Sequence, residues 1–126
     1  LEEFVGVAAD QHVSAQEAQL MARAALARAK RLADGNEDDE PLFGVGCTAA
    51  VATDRVRRGE DRAHIAWATE TRSGGASVWF DKLARTRADE DAVVSAIVLN
   101  SIAEALGIEE RLDLDVLETE RIDELD

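Results

Sequence analysis

The stretch that decides the fold is residues 42–67, which read LFGVGCTAAVATDRVRRGEDRAHIAW. It opens with an apolar run that contains Gly44 and Gly46, and it closes with a second apolar run over residues 63–68. Glycines in a buried strand let a ligand approach the backbone closely, because no Cβ stands in the way. The polar loop between the two runs carries four arginines, which are Arg55, Arg57, Arg58 and Arg62.

This loop predicts a site for a small anionic molecule at the end of the first strand. Guanidinium groups supply paired N–H donors that match phosphate or carboxylate, and ligands of open α/β sheets lie beyond the carboxyl ends of strands. Thr48 and Thr53 bracket the turn, where their hydroxyls can donate to a phosphate or satisfy turn amides. The alternative is a core strand followed by a solvated loop whose arginines pair with nearby acids. That alternative is stronger for Arg55 and Arg57 than for Arg58, which a glycine follows.

The composition is that of one soluble domain with unevenly spread charge. The 126 residues are 46% hydrophobic and carry a net charge of −13. Residues 109–126 hold nine acids and two arginines, net −7, and residues 34–40 hold five acids and no base. We interpret both runs as solubilising segments. Because nucleic acid needs a basic face, the acidity argues against a nucleic-acid partner.

The chain shows no membrane or export signal and a single cysteine. No apolar run approaches the roughly 18 residues of a membrane span, and no charged-then-apolar leader opens the sequence. Cys47 cannot form an internal disulfide and lies in an apolar run, which predicts a buried structural thiol. We therefore expect a cytoplasmic protein without a membrane partner.

Two helices are predicted from capping residues and apolar stripes. Ser14 and Glu17 fit a capping box, which predicts a helix over Ala15–Ala33. A second capping start predicts a helix over residues 87–106, with Gly107 as the residue that ends it. The predicted buried stripe of the first helix comprises Ala18, Met21, Ala22, Ala25, Ala29 and Leu32.

Three strands are predicted, over residues 42–48, 63–71 and 77–84. Ser73-Gly74-Gly75 is a hairpin signal that pairs the second strand antiparallel with the third. Residues 112–117 alternate loosely, which predicts a short edge strand or an interdomain linker. Two helices around three strands make a thin domain whose apolar stripes need a larger sheet. We therefore expect an α/β fold, a three-layer α/β/α sandwich with a mixed sheet whose first strand or strands are missing from the chain.

The sequence offers little catalytic machinery. His12 and His64 are its two histidines, and no Ser/His/Asp set can be assembled from it. His64 lies in an apolar strand, where a packed or hydrogen-bonded core histidine is the safer interpretation. No histidine and carboxylate spacing indicates a metal, and Gly44-Val45-Gly46 lacks the third glycine and the following helix of a dinucleotide fingerprint. The catalytic residues stay unassigned, and we expect no metal and no cofactor.

The order of these motifs resembles the C-terminal domain of the CinA family, the nicotinamide-nucleotide amidases. The similarity covers residues 1–108 and is most specific over residues 44–64, which resemble a variant joined to a nucleotidyltransferase-like domain. Residues 109–126 follow as an acidic tail or interdomain linker. The motifs that carry the resemblance are Val13-Ser14-x-x-Glu17, Gly46-Cys47-Thr48-Ala49-Ala50 and Arg58-Gly59.

The resemblance implies the α/β/α fold of the CinA C-terminal type and a site for a pyridine mononucleotide. The family converts nicotinamide mononucleotide to nicotinic acid mononucleotide and ammonia. It also implies a possible homodimer and a possible fused second domain. His64 is a possible further member of the implied site. The substrate- and phosphate-binding residues that it implies are Thr48, Ala49, Thr53, Arg55 and Arg58.

Two departures from the family pattern shape the alternatives. Members open with a strand and a Ser/Thr-Gly-Gly turn that carries the nucleophile, and we expect amide hydrolysis only where that segment, missing from this chain, is present. The family's glycine-rich strand end is replaced here by Thr48-Ala49-Ala50-Val51-Ala52-Thr53, which narrows backbone approach to a phosphate. One alternative is a non-catalytic CinA-like domain with a structural or regulatory role beside a nucleotidyltransferase-like domain. Another is an unrelated acidic α/β interaction module.

Overall fold

A computed structural model of the chain describes residues 14–33, 42–50, 61–81 and 86–125. These ranges form two helices and four strands, so the fold is α/β, as the sequence predicts. In chain order the elements are α1 (Ala15–Ala33), β1 (Gly44–Ala50), β2 (Arg62–Ala68), β3 (Ser73–Trp79), α2 (Arg87–Leu106) and β4 (Arg121–Leu125).

Both helices begin at the predicted caps. The Ser14 hydroxyl accepts a hydrogen bond from the Glu17 amide at 3.1 Å. The Thr86 hydroxyl accepts from the Asp89 amide at 3.1 Å, and the Asp89 carboxylate accepts from the Thr86 amide at 3.2 Å. Gly107 ends α2 in the left-handed region, with φ at 76°. The predicted bounds of both helices are confirmed. The start of each helix has a side-chain cap, and the end of α2 has a glycine.

The four strands form one sheet in the order β1-β2-β3-β4. The antiparallel pairing predicted for the second and third strands is confirmed. The expected mixed sheet is not found in the described part of the chain, where all three strand pairings are antiparallel. Each neighbouring pair can therefore form without the helical crossover that parallel strands require.

The turn between β2 and β3 lies earlier in the chain than predicted. The Thr69 amide donates to the Arg72 carbonyl at 2.8 Å, and the Thr69 hydroxyl accepts from the Arg72 amide at 3.0 Å. Ser73-Gly74-Gly75, predicted as the turn, instead begins β3. A threonine hydroxyl satisfies turn amides without glycine. Gly74 leaves room for the Trp67 side chain on the neighbouring strand, since a Cβ on Gly74 would lie 2.9 Å from the Trp67 ring.

The fourth strand lies further along the acidic segment than predicted. Residues 112–117, the predicted edge strand or linker, adopt no regular structure, whereas Arg121–Leu125 pairs with β3. In this register Ile122 lies opposite Val78 and packs against the core. A one-residue slip would turn Ile122 away from the core, so this apolar contact fixes the pairing.

The two helices contact alternate residues of β2. Ala66 and Ala68 pack against α1, whereas Ala63 and Ile65 pack against α2. Because successive strand residues point to opposite faces, each helix covers its own face of the sheet. The buried core on the α2 face comprises Ala63, Ile65, Val78, Phe80, Val93 and Ile97.

The glycines of β1 bring α1 into backbone contact with the sheet. A Cβ on Gly44 would lie 2.0 Å from the carbonyl oxygen of Ala22, and one on Gly46 would lie 2.2 Å from that of Ala18. Real Cβ atoms cannot approach an oxygen this closely, so the packing depends on two bare Cα positions. The alanine-rich helix α1 thus packs directly on the backbone of β1.

The stripe predicted for α1 is partly wrong. Met21 and Leu32 are 45% and 72% exposed, whereas Leu26 is buried. Ala18, Ala22 and Leu26 follow one another in steps of four, and this narrow line is what fits against a glycine-bearing strand. Neither described helix is long and apolar enough to cross a membrane.

Candidate functional site

A row of polar residues crosses the sheet on the α1 face. The register pairs Thr48 with His64, His64 with Ser77, and Ser77 with Asp123. Paired residues of neighbouring strands point to the same face, and Ala66, two residues beyond His64, contacts α1. The structure therefore brings together Thr48 and His64, two of the residues predicted for the site. We call Thr48, His64, Ser77 and Asp123 the polar row.

Thr48 links the end of β1 to the start of α1. Its hydroxyl donates to the carbonyl of Ser14 at 3.0 Å, and Ser14 is the residue that caps α1. The first amides of a helix have no partner within it and carry partial positive charge. Thr48 therefore lies at the positive end of a helix. Its proton is already used on a backbone carbonyl, but a hydroxyl keeps acceptor capacity.

His64 is a hydrogen-bonded core histidine, the safer of the two interpretations of the sequence. The residue is 5% exposed, and its Nδ1 shares a 2.6 Å hydrogen bond with the Ser77 hydroxyl. Its ring meets that of Trp79 edge to face, with centroids 5.7 Å apart and an 84° interplanar angle. These contacts fix the ring orientation beside Thr48.

The surroundings of His64 favour its neutral form. Burial lowers its pKa below the ordinary value of 6.5, and the positive charge of Arg62 lowers it further. A neutral imidazole has one donor and one acceptor nitrogen, so it can orient a neighbour as well as take a proton. A histidine and hydroxyl pair is the arrangement that activates nucleophiles. Ser77 is only 1% exposed, however, so its hydroxyl is closed to a substrate in this conformation.

A second row on the same face carries positive charge. Arg62 pairs with Trp79, and Trp79 pairs with Arg121. The Arg121 guanidinium carbon lies 4.0 Å from the centroid of a Trp79 ring, and Nε of Arg121 lies 3.5 Å from the Asp123 carboxylate. Sequence reasoning missed Ser77, Trp79 and Arg121, because grouping them requires the register of β3 and β4. The polar-apolar-polar alternation of Arg121, Ile122 and Asp123 is the sequence signal for a strand that places Arg121 and Asp123 on one face.

The other predicted site residues are not part of this group as described. Ala49 is exposed in β1 and, as the neighbour of Thr48, points to the opposite face. Thr53, Arg55 and Arg58 lie outside the described residues. The arginine half of the predicted site therefore stays a prediction. In the part of the chain that the structure describes, no group of three His, Cys, Asp or Glu side chains could hold a metal ion.

Comparison with known proteins does not assign this site to a family. No protein-family model, curated protein or solved structure matches the chain.

Proposed function

We propose that the chain is a CinA C-terminal-type domain, built as a three-layer α/β/α unit, that binds a pyridine mononucleotide at the end of β1. The observation that carries this proposal is the contact of Thr48 with Ser14, which joins the Gly46-Cys47-Thr48-Ala49-Ala50 motif to the start of α1. One helix on each face of the sheet supports the layered arrangement.

A helix start and arginines suit the phosphate of such a ligand. Amides at a helix N-terminus attract anions, and Thr48 lies against that end of α1. Arg62 lies on the same face, one row beyond His64. Arg55 and Arg58 follow β1 in the sequence and are proposed to complete the phosphate contacts. His64, buried and bonded to Ser77, stays the possible further member of the site that the resemblance implies.

Calorimetry with nicotinamide mononucleotide tests the proposal. We expect binding that Arg58→Ala weakens by at least about 1.5 kcal/mol, the lower value for hydrogen bonds to charged groups. Arg28→Ala is the matched control, because Arg28 is an exposed arginine of α1 and its loss should leave affinity unchanged. Absence of binding heat from the folded protein would refute the proposal, as would equal losses in both variants.

A second candidate is a non-catalytic CinA-like domain with a structural or regulatory role. Two observations favour this candidate. The Thr48 hydroxyl donates its proton to the Ser14 carbonyl, and alanines stand after Thr48 where the family has glycines. Amide hydrolysis, as acyl transfer to a hydroxyl and then to water, is proposed only for a protein that carries the family's Ser/Thr-Gly-Gly segment. An ammonia-release assay on such a protein separates the two, since activity rejects the non-catalytic candidate.

The proposal includes an assembly and a location. A cytoplasmic homodimer fits the resemblance and the sheet, because β1 and β4 have no second neighbour among the described strands. A fused nucleotidyltransferase-like domain is the other partner that the resemblance implies. Light scattering on the purified chain measures the oligomeric state, and a monomer across the micromolar range would reject the dimer.

A further inference from the structure

A cavity of about 400 Å³ lies on the α2 face of the sheet, the face opposite the polar row. Its floor is formed by β3 and Trp67, one wall by α2, and another by β4. This size falls within the range of pockets that bind small molecules. Because it uses the other face of the sheet, it is separate from the proposed mononucleotide site.

The segment that borders the cavity beside α2 is held by side-chain hydrogen bonds. The Asn100 side chain accepts from the Leu112 amide at 2.7 Å and donates to the Leu112 carbonyl at 3.0 Å. The Arg111 guanidinium donates hydrogen bonds to the carboxylate of Glu104 and to the carbonyl of Ile108. These contacts fix residues 108–112 against α2, so the cavity wall is formed before any ligand arrives.

The charged side chains that line the cavity are Glu104, Arg111 and Glu124. Arg111 forms an ion pair with Glu104. Glu124 lies opposite Ala76 in β4 and so points to the α2 face. No ion pair joins Glu124 to another described residue. Among the described residues that line the cavity, the Glu124 carboxylate is therefore the charge that favours a cation.

One protein cation already contacts part of the cavity lining. The Arg72 guanidinium carbon lies 5.3 Å from the centroid of a Trp67 ring, and Arg72 donates to the α2 carbonyls of Glu104 and Ala105 at 3.1 and 3.2 Å. Arg72 therefore occupies the Trp67 ring and the end of α2, and a ligand cation would be bound by Glu124 instead. Ile97, Leu114 and Ile122 provide apolar walls on the other side.

We infer that this cavity binds a small organic ammonium compound. Its ammonium group would lie against the Glu124 carboxylate, and its apolar body would pack between α2 and β4 on Ile97 and Ile122. This ligand class differs from the phosphate-bearing ligand proposed for the α1 face, because the Glu124 carboxylate repels anions. The inference is independent of the proposed function.

Titration of the ¹⁵N-labelled protein with phenethylammonium, read by two-dimensional NMR, tests the inference. We expect saturable shifts of the Trp67 indole N–H and the Asn100 side-chain amide. The Trp79 indole N–H is the internal control, because Trp79 lies on the α1 face. Glu124→Gln should weaken binding by about fivefold, the size expected for a partly exposed charge contact.

Asp123→Asn is the matched control variant. It removes the same charge from the next residue of β4, which points to the α1 face, and should change the affinity by less than about twofold. No saturable shift at about 10 mM phenethylammonium would overturn the inference. Equal binding of neutral phenethyl alcohol, with Glu124→Gln as tight as the parent, would also overturn it and indicate an uncharged apolar cavity. A failed nicotinamide mononucleotide titration would not affect this result.

Discussion

The two faces of β2 are packed by opposite means. On the α1 face, glycines and alanines let helix backbone and strand backbone touch. On the α2 face, branched and aromatic side chains such as Ile65, Phe80 and Ile97 fill the space between helix and sheet. The packing of the α1 face requires positions without a Cβ atom, whereas the packing of the α2 face requires large side chains. The first tolerates no added volume, whereas the second tolerates some loss and already contains a cavity.

The largest expected effect comes from adding one methyl group to the α1 face. Gly46→Ala places a Cβ 2.2 Å from the Ala18 carbonyl oxygen and 2.7 Å from the Ala22 amide nitrogen. Because both are helix backbone atoms, α1 must shift away. We expect a loss of about 3 kcal/mol or more in the free energy of unfolding, at the upper end for overpacking, measured by urea denaturation.

Gly107→Ala is the control for that experiment. Gly107 has open space around its Cβ position and a φ of 76°, so alanine there adds only conformational strain of about 1 kcal/mol. If the two glycine variants lost equal stability, the backbone contact between α1 and β1 would not be the cause.

A smaller loss is expected when volume is removed from the α2 face. Ile97 is 2% exposed, yet it also borders the cavity. Ile97→Ala should cost about 2 kcal/mol, the lower end for such truncations, because part of the side chain adjoins empty space. Ile97→Val should cost about 1 kcal/mol or less. If Ile97→Ala lost more unfolding free energy than Gly46→Ala, the α2 face would be the more sensitive of the two, contrary to our expectation.

The pH dependence of stability tests the polar part of the α1 face. His64 has a lowered pKa in the folded protein, through burial and then Arg62, so the unfolded chain takes up its proton first. The stability that neutral His64 contributes is therefore complete above pH 6.5 and is lost as the pH falls toward the folded pKa. Between pH 8 and 5 the parent should lose more stability than His64→Gln.

The two proteins share their carboxylates, so the difference between their curves isolates His64. Arg62→Gln should reduce the pH dependence in part, because Arg62 is the second cause of the pKa shift. Parallel curves for the parent and His64→Gln would contradict the burial of the ring.

The smallest perturbation uses the one cysteine of the chain. Cys47 packs against the core of the α2 face, and burial raises the pKa of its thiol above the ordinary 9.0. Since the thiolate is the reactive form, iodoacetamide should react slowly at pH 8 and faster after urea unfolding. Equal rates in the folded and unfolded protein would show that this part of the α2 face is open.

The helices could be predicted from the sequence because their signals are local. Ser14 and Gly107 each mark a helix end through hydrogen bonds or φ values that depend on a few neighbouring residues. The strand bounds were less predictable. The Thr69 turn competes with a glycine pair nearby, and the sequence does not show that Gly74 is required beneath the Trp67 ring.

The candidate site was predictable only one residue at a time. The sequence predicts Thr48 as a site residue from its place at the end of a glycine-bearing strand, but the hydrogen bond of Thr48 to Ser14 spans 34 positions. The grouping of His64, Ser77 and Asp123 depends on strand register, which a single sequence does not specify until the core-facing residues are known. The cavity could not be predicted for the same reason, because its walls come from distant segments.

The edge position of β4 has a consequence for exchange with solvent. The strand returns to β3 only after the whole of α2, and its residues are exposed or half-buried. Such a segment opens locally at a lower free energy than central strands, so its amide protons should exchange early. Ile122, Glu124 and Leu125 border the cavity. Transient detachment of this one strand would therefore remove one wall of the cavity and widen its opening while β1, β2 and β3 stay paired.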